Sequence, residues 1–235
     1  TELSNVSESA DSESTLEKLG QYITDLLHEI FIFMVILVDM IFYAVTGIWD
    51  RKYIVKYDTL KNIYYIGYRA VPIVFLLSLL IGLTITIQAA VQMAKFGGQG
   101  YLATLIGTAM FKELGPLVTA IIISGRTGSS IAAEIGTMVV MEEVDALQTM
   151  GIRPLKFILV PKFWAFTIAM PILTLVADLA GVIGGMLVAK VYGVPVSAFV
   201  NEIISVMNPG DFVWGTIKSL TFAWAILSIA CYKGM

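Results

Sequence analysis

The chain has 235 residues, 57% of them hydrophobic, with a mean hydropathy of +0.83 and a formal charge of −3. Soluble domains carry about 45–50% apolar residues, so this excess marks an integral membrane protein. The small net charge gives no reason to expect nucleic acid, the single cysteine (Cys231) excludes an internal disulfide, and the single histidine (His28) excludes a His/Cys metal cluster.

Residues 1–15, TELSNVSESADSEST, are acidic and serine-rich with almost nothing to bury, and are expected to form a disordered tail. No cleavable leader is legible there, and the chain does not start with Met, as expected if the natural N-terminus lies further upstream. Residues 16–57 read as an interfacial amphipathic segment. Leu16, Leu19, Ile23, Leu26, Leu27 and Ile30 recur at helical spacing, and Asp39 interrupts the apolar run 31–47, for which a membrane span is the alternative reading. Trp49 and Tyr53 would sit at headgroup depth.

A helical span needs about 20 mostly apolar residues. Four stretches qualify: 71–93, 101–124, 157–189 and 212–232. The expected fold is therefore an all-α membrane protein with four transmembrane helices. The third stretch contains Pro161 and Pro171 and is expected to kink or tilt. Basic residues alternate between the connections: Arg51, Lys52, Lys56, Lys61 and Arg69 before the first span, then Lys95, then Arg126, Arg153, Lys156 and Lys162, then Lys190. By the positive-inside rule the N-terminal region and residues 126–162 face the cytoplasm. Segments 94–100 and 190–211 face outward, and apolar spacing over 194–207 predicts a short interfacial helix ended by Asn208-Pro209-Gly210.

Several residues at membrane depth carry charge or amide groups. Lys112 and Glu113 lie in the second stretch, Asp178 in the third and Lys218 in the fourth. Such residues are expensive in lipid and face a cavity or a partner. Neighbours on a helix point about 100° apart, so Lys112 and Glu113 each need a partner on another helix or subunit, and Lys218 is a candidate for Glu113. A pair that only fixes helix packing and a polar patch along a substrate path both fit. Gln88 and Gln92, one turn apart, suit either interhelical hydrogen bonds or a cavity wall. Gly181, Gly184 and Gly185 predict close helix packing.

Between the second and third spans, an acid-bearing helical pattern ends at Gly151-Ile152-Arg153-Pro154. On one continuous helix Glu134, Glu142 and Asp145 fall within about 80° of one another, with Met138 inside the wedge and Glu143 nearly opposite. A solvated connector is one reading. A docking element is the other, favoured by Met138, Met141, Val144, Leu147 and Met150. There is no GxxxxGK[ST], no Ser/His/Asp set and no metal spacing, so no catalytic residue is assigned.

Ordered motifs over residues 60–235 are similar to those of the MlaE/YrbE permeases, membrane subunits of phospholipid-moving ABC transporters that work with MCE-domain proteins. They are Tyr65-Ile66-Gly67, Gly82 to Gln88, Glu113-Leu114-Gly115-Pro116, Gly125-Arg126-x-Gly128-Ser129, Ala133-Glu134-x-Gly136-Thr137-Met138, Glu142-x-x-Asp145-Ala146-Leu147, Pro161, Asp178-x-x-Gly181-x-x-Gly184-Gly185 and Lys218-Ser219. The resemblance implies a permease domain over 58–235 in a bacterial inner membrane, a homodimer with a phospholipid cavity between two copies, and a separate cytoplasmic ATPase binding ATP and magnesium, with a small STAS-type regulator. It also implies a periplasmic hexamer of MCE domains. It places Ile85, Gln88 and Met93 along the acyl-chain cavity and Lys112, Glu113 and Lys218 along the polar path. A coupling helix at 134–149 would present Glu134, Met138, Glu142, Glu143, Asp145 and Leu147 to the ATPase. The chain departs from the family in having Lys112 where Arg is usual and Glu143 where Gln is usual, and the family's fifth span would lie beyond Met235. An ion-conducting subunit relaying protons through Glu113 and Asp178 is the alternative reading.

Overall fold

The computed structural model describes residues 56–96 and 98–234 and most residues between 18 and 42. The expected tail over 1–15 and the anchors Trp49 and Tyr53 lie outside the described residues. Among those described, the chain is all helix, and four helices are long and apolar enough to cross a membrane. Helices are what lipid allows an open chain, because each backbone N–H and C=O must find a partner within its own segment.

The described residues between 18 and 42 are helical. Their apolar side chains Phe31, Met34 and Val38 are exposed, while Met40 is buried against Ser228 of the last span. Helix α1 (Lys56–Ile66) passes through a 3₁₀ turn (Tyr68–Ala70) into α2 (Val71–Phe96). The second span is one rod from Leu102 to Val140, 39 residues and therefore roughly 58 Å long. It comprises α3 (Leu102–Ala109), a π-segment (Met110–Leu114), α4 (Gly115–Ile123), a second π-segment (Ser124–Gly128) and α5 (Ser129–Val140). Since the hydrocarbon core is about 30 Å thick, at least one end of this rod projects well beyond it.

Helix α6 (Glu143–Thr149) follows, then α7 (Pro154–Val191), which continues through both Pro161 and Pro171. Helix α8 (Val196–Val206) is the short helix expected before Asn208, and Pro209 begins the last span, α9 (Pro209–Gly234). Helix α7 is central: 56% of its most apolar window is buried, against 28% for the first and last spans.

Lipid tails are as apolar as leucine, so these helices associate by close contact and polar links rather than by hydrophobic driving force. Gly82 on α2 lies directly against the backbone of Gly181 on α7, and Gly184 lies against the Leu79 carbonyl, as the glycine spacing predicts. Two buried clusters fill the bundle. One joins Ile123 and Ile131 to Phe163, Phe166, Met170 and Leu227, and the other joins Ala103, Ile106 and Met110 to Phe199 and Ile203. The second cluster seats α8, and a hydrogen bond from Thr104 Oγ1 to Glu202 Oε1 at 2.8 Å pins it.

The acidic segment is not one helix. Helix α5 ends at Val140, and Glu142 adopts a left-handed conformation (φ 57°, ψ 17°) before α6 starts. Glu142 N–H donates to the Val139 carbonyl at 3.1 Å, which closes the turn tightly. The expected wedge of Glu134, Glu142 and Asp145 is thereby broken. No glycine or asparagine marks this break, so periodicity alone runs straight through it. The predicted stop does form: Gly151 takes φ 74°, and Ile152 N–H reaches back to the Leu147 carbonyl at 3.0 Å.

The left-handed turn predicts a graded stability series. A β-branched residue suits it poorly, so Glu142→Ile is expected to lose about 1 kcal/mol, whereas Glu142→Gly changes little. Thermal unfolding in detergent measures both; equal melting temperatures for the two variants would contradict the turn.

Candidate functional site

Lys112 and Glu113 lie on the first π-segment, a geometry that displaces their side chains from the register of the flanking α-helices. Three residues after Glu113, Pro116 has no N–H to offer the carbonyl four residues back, which is that of Lys112. Lys218 Nζ on α9 supplies the missing donor at 3.0 Å. The same ammonium pairs with Glu113 Oε1 at 2.5 Å. Lys112 pairs with Asp211 Oδ1 at 3.1 Å, near the start of α9. The partner expected for Glu113 is therefore the one present, and both adjacent charges are answered by one helix. Asp211 escaped the sequence reading because it sits beside Asn208-Pro209-Gly210, which resembles loop. Phe111 and Phe212 add an edge-to-face contact at 5.0 Å between the same elements.

These pairs differ in accessibility. The Glu113 side chain is 67% exposed and that of Asp211 14%. Glu113 can therefore be reached from outside this chain while Asp211 is walled in. Asp178, on α7, is 3% exposed, and its Oδ1 has no hydrogen-bond partner among the described residues. Its carboxyl rests directly on Gly115, in the first turn after the π-segment, where a β-carbon could not be accommodated. Gly115→Ala should therefore push α4 away from α7 and cost about 1–3 kcal/mol. A lowered melting temperature with Gly115→Ala, relieved in the double variant with Asp178→Ala, checks this contact.

Ile85, Gln88 and Met93 lie along α2. Ile85 packs half-buried on the Ala103–Met110 cluster, Met93 is half-buried, and Gln88 is exposed, as is Gln92. No hydrogen bond among the described residues links Gln88 to the charged pairs.

The residues expected on the coupling face are divided. Glu134, on α5, turns to Lys162 of α7, whose Nζ donates to Glu134 Oε2 at 2.7 Å. Met138 is half-buried on α5. Glu142 is the left-handed joint, and Glu143, Asp145 and half-buried Leu147 lie on α6, which has no buried residue. Val140, Met141 and Met150 are 81%, 67% and 65% exposed, so a projecting elbow carries bare apolar groups beside its acids. Among the described residues, no group of three or more metal-ligating side chains is assembled.

This order of elements, with a charged π-turn, a rod that outruns the bilayer and an elbow before a central helix, extends across the region matched by a family model. That model is described as Permease MlaE and matches residues 59–235. The chain belongs to the MlaE permease family. It is 34% identical over 177 residues to a probable ABC transporter permease protein of Rickettsia prowazekii, covering 74% of this chain and 68% of that one. It is 35% identical over 176 residues to the intermembrane phospholipid transport system permease protein MlaE of Haemophilus influenzae, covering 74% and 67%. It is also 31% identical over 179 residues to the chloroplastic protein TRIGALACTOSYLDIACYLGLYCEROL 1 of Arabidopsis thaliana, covering 76% and 51%. As an MlaE-family permease, the chain is a multi-pass membrane protein and a transport subunit rather than an enzyme.

Proposed function

We propose that this chain is the membrane subunit of an ABC transporter that moves phospholipid between a bacterial inner membrane and a periplasmic MCE-domain hexamer. Two copies enclose the lipid, and a separate cytoplasmic ATPase supplies the work by binding and hydrolysing ATP with magnesium, with a STAS-type regulator beside it. The observation that carries the reading is the Glu113–Lys218 pair on a π-turn of a membrane span. It combines an exposed carboxylate with a cation already bound at a backbone carbonyl. A cation in a low-dielectric groove favours a headgroup phosphate, and an exchangeable carboxylate beside it lets that phosphate leave again. Ile85, Gln88 and Met93 line the acyl-chain side, and Lys112 completes the polar path.

The elbow of α5 and α6 is the coupling element in this proposal. Glu142, Glu143, Asp145 and Leu147 face the ATPase, Met138 supports them from α5, and Glu134 anchors α5 to α7. Closure of the ATPase pushes on the elbow and reshapes the lipid cavity. Combining Glu142→Lys with Asp145→Arg is expected to cut ATPase recovery on the purified permease about tenfold, because reversing interface charges places like charges together. Undiminished recovery would remove the coupling role. In vesicles, lipid transfer that depends on ATP and persists with an uncoupler supports the transporter; transfer abolished by the uncoupler would favour ion conduction through Glu113 and Asp178.

A further inference from the structure

At the opposite end of the rod from α3 lies a second concentration of charge. A cavity of about 560 Å³ opens between α1, the second π-segment, α5 and α7, bringing together Lys61, Arg69, Arg126 and Lys162 with Asp58 and Glu134. Four cations against two carboxylates leave two positive charges in excess. Lys162 and Glu134 neutralise each other in the wall, the lysine side chain being only 6% exposed. Among the described residues, Lys61, Arg69 and Arg126 make no ion pair, although Asp58 shares the cavity.

Arg69 is also held in place. Its guanidinium carbon lies 4.5 Å from the centre of the Tyr65 ring and 5.8 Å from that of Tyr64, and Tyr64 stacks on Tyr68 at 5.2 Å. These rings hold the guanidinium by cation–π attraction, and a guanidinium so held can still donate its N–H groups to an anion. The three tyrosines are exposed, as aromatic side chains are at headgroup depth. Arg126 lies 13 residues beyond Glu113, roughly 20 Å further along the rod, so this cavity is separate from the Glu113–Lys218 pair.

Two planar guanidinium groups and an ammonium around a cavity of that size match a tetrahedral oxyanion, which guanidinium binds bidentately. We infer that this cavity is a phosphate-binding site, filled either by the headgroup of a lipid in the adjacent leaflet or by a free phosphate. The inference does not depend on the transport reading, because it concerns equilibrium binding at groups outside the proposed path.

The test uses the full chain purified in neutral detergent. Native mass spectrometry counts retained phosphatidylglycerol against diacylglycerol, which lacks the phosphate, and a thermal-shift series adds inorganic phosphate. The expected result is phosphatidylglycerol held at least tenfold better than diacylglycerol. In Lys61→Ala combined with Arg126→Ala, that preference is lost and the two lipids are retained about equally. Both side chains are exposed and neither is part of the Lys162–Glu134 wall, so the fold survives the change. Lys190→Ala, at the other end of α7, keeps the preference. A lipid preference without a phosphate shift assigns the site to a headgroup, and a saturable phosphate shift lost in the double variant assigns it to a free anion; both support the inference. Equal retention of the two lipids with no phosphate shift overturns it. So does an undiminished preference in the double variant, including the case where only a protein partner is lost.

Discussion

Gly82→Val should yield no monodisperse protein on size exclusion. The position admits no side chain because its neighbour across the helix pair is the backbone of Gly181, which cannot rotate aside. Valine would force α2 off α7 along the most intimate contact in the bundle, a cost at or above the roughly 3 kcal/mol upper range of ordinary overpacking. Gly181→Ala is expected to be milder, since what it meets is the flexible Met110 side chain. Gly210, with nothing within 4 Å of the place its β-carbon would take, serves as the control: Gly210→Ala leaves yield unchanged. Normal yield of Gly82→Val would mean that these helices do not touch as described.

Glu113→Ala should lower lipid transfer at least tenfold while the subunit still assembles with its partners. The variant leaves the Lys218 ammonium at the Lys112 carbonyl with no counter-ion, so a phosphate would bind and not be released. Exchanging the pair, Glu113→Lys with Lys218→Glu, restores the attraction but strips the carbonyl beneath Pro116 of its donor. It should recover assembly and only part of the transfer rate. Full transfer by Glu113→Ala would leave this carboxylate a packing residue.

The spans were legible because length and apolar content are local properties, and the close packing at Gly181 and Gly185 because small residues four apart have few other uses in lipid. The Glu113–Lys218 pair followed from the cost of leaving either charge alone in a span. What escaped depends on rotation about helix axes. Each π-turn shifts the phase of everything after it, so a 3.6-residue wheel drawn through residues 110–128 misplaces the faces beyond. Glu134 read as an acid offered outward, and its link to Lys162, 28 residues further on, lies beyond any local pattern. The left-handed turn at Glu142 carried no glycine to announce it, and the basic cavity draws on five elements that no sequence window spans together. A signal for the Lys218 bond was available in Pro116, whose missing N–H frees the carbonyl of the only lysine in that span.

From Glu113 to Val140 the second span runs 27 residues, a lever arm of roughly 40 Å with the elbow at one end and the ion pair at the other. A tilt of about 3° over that length swings its tip by about 2 Å, enough to part a salt link without unwinding any turn. The two π-turns interrupt that arm, one at the ion pair and one beside the basic cavity.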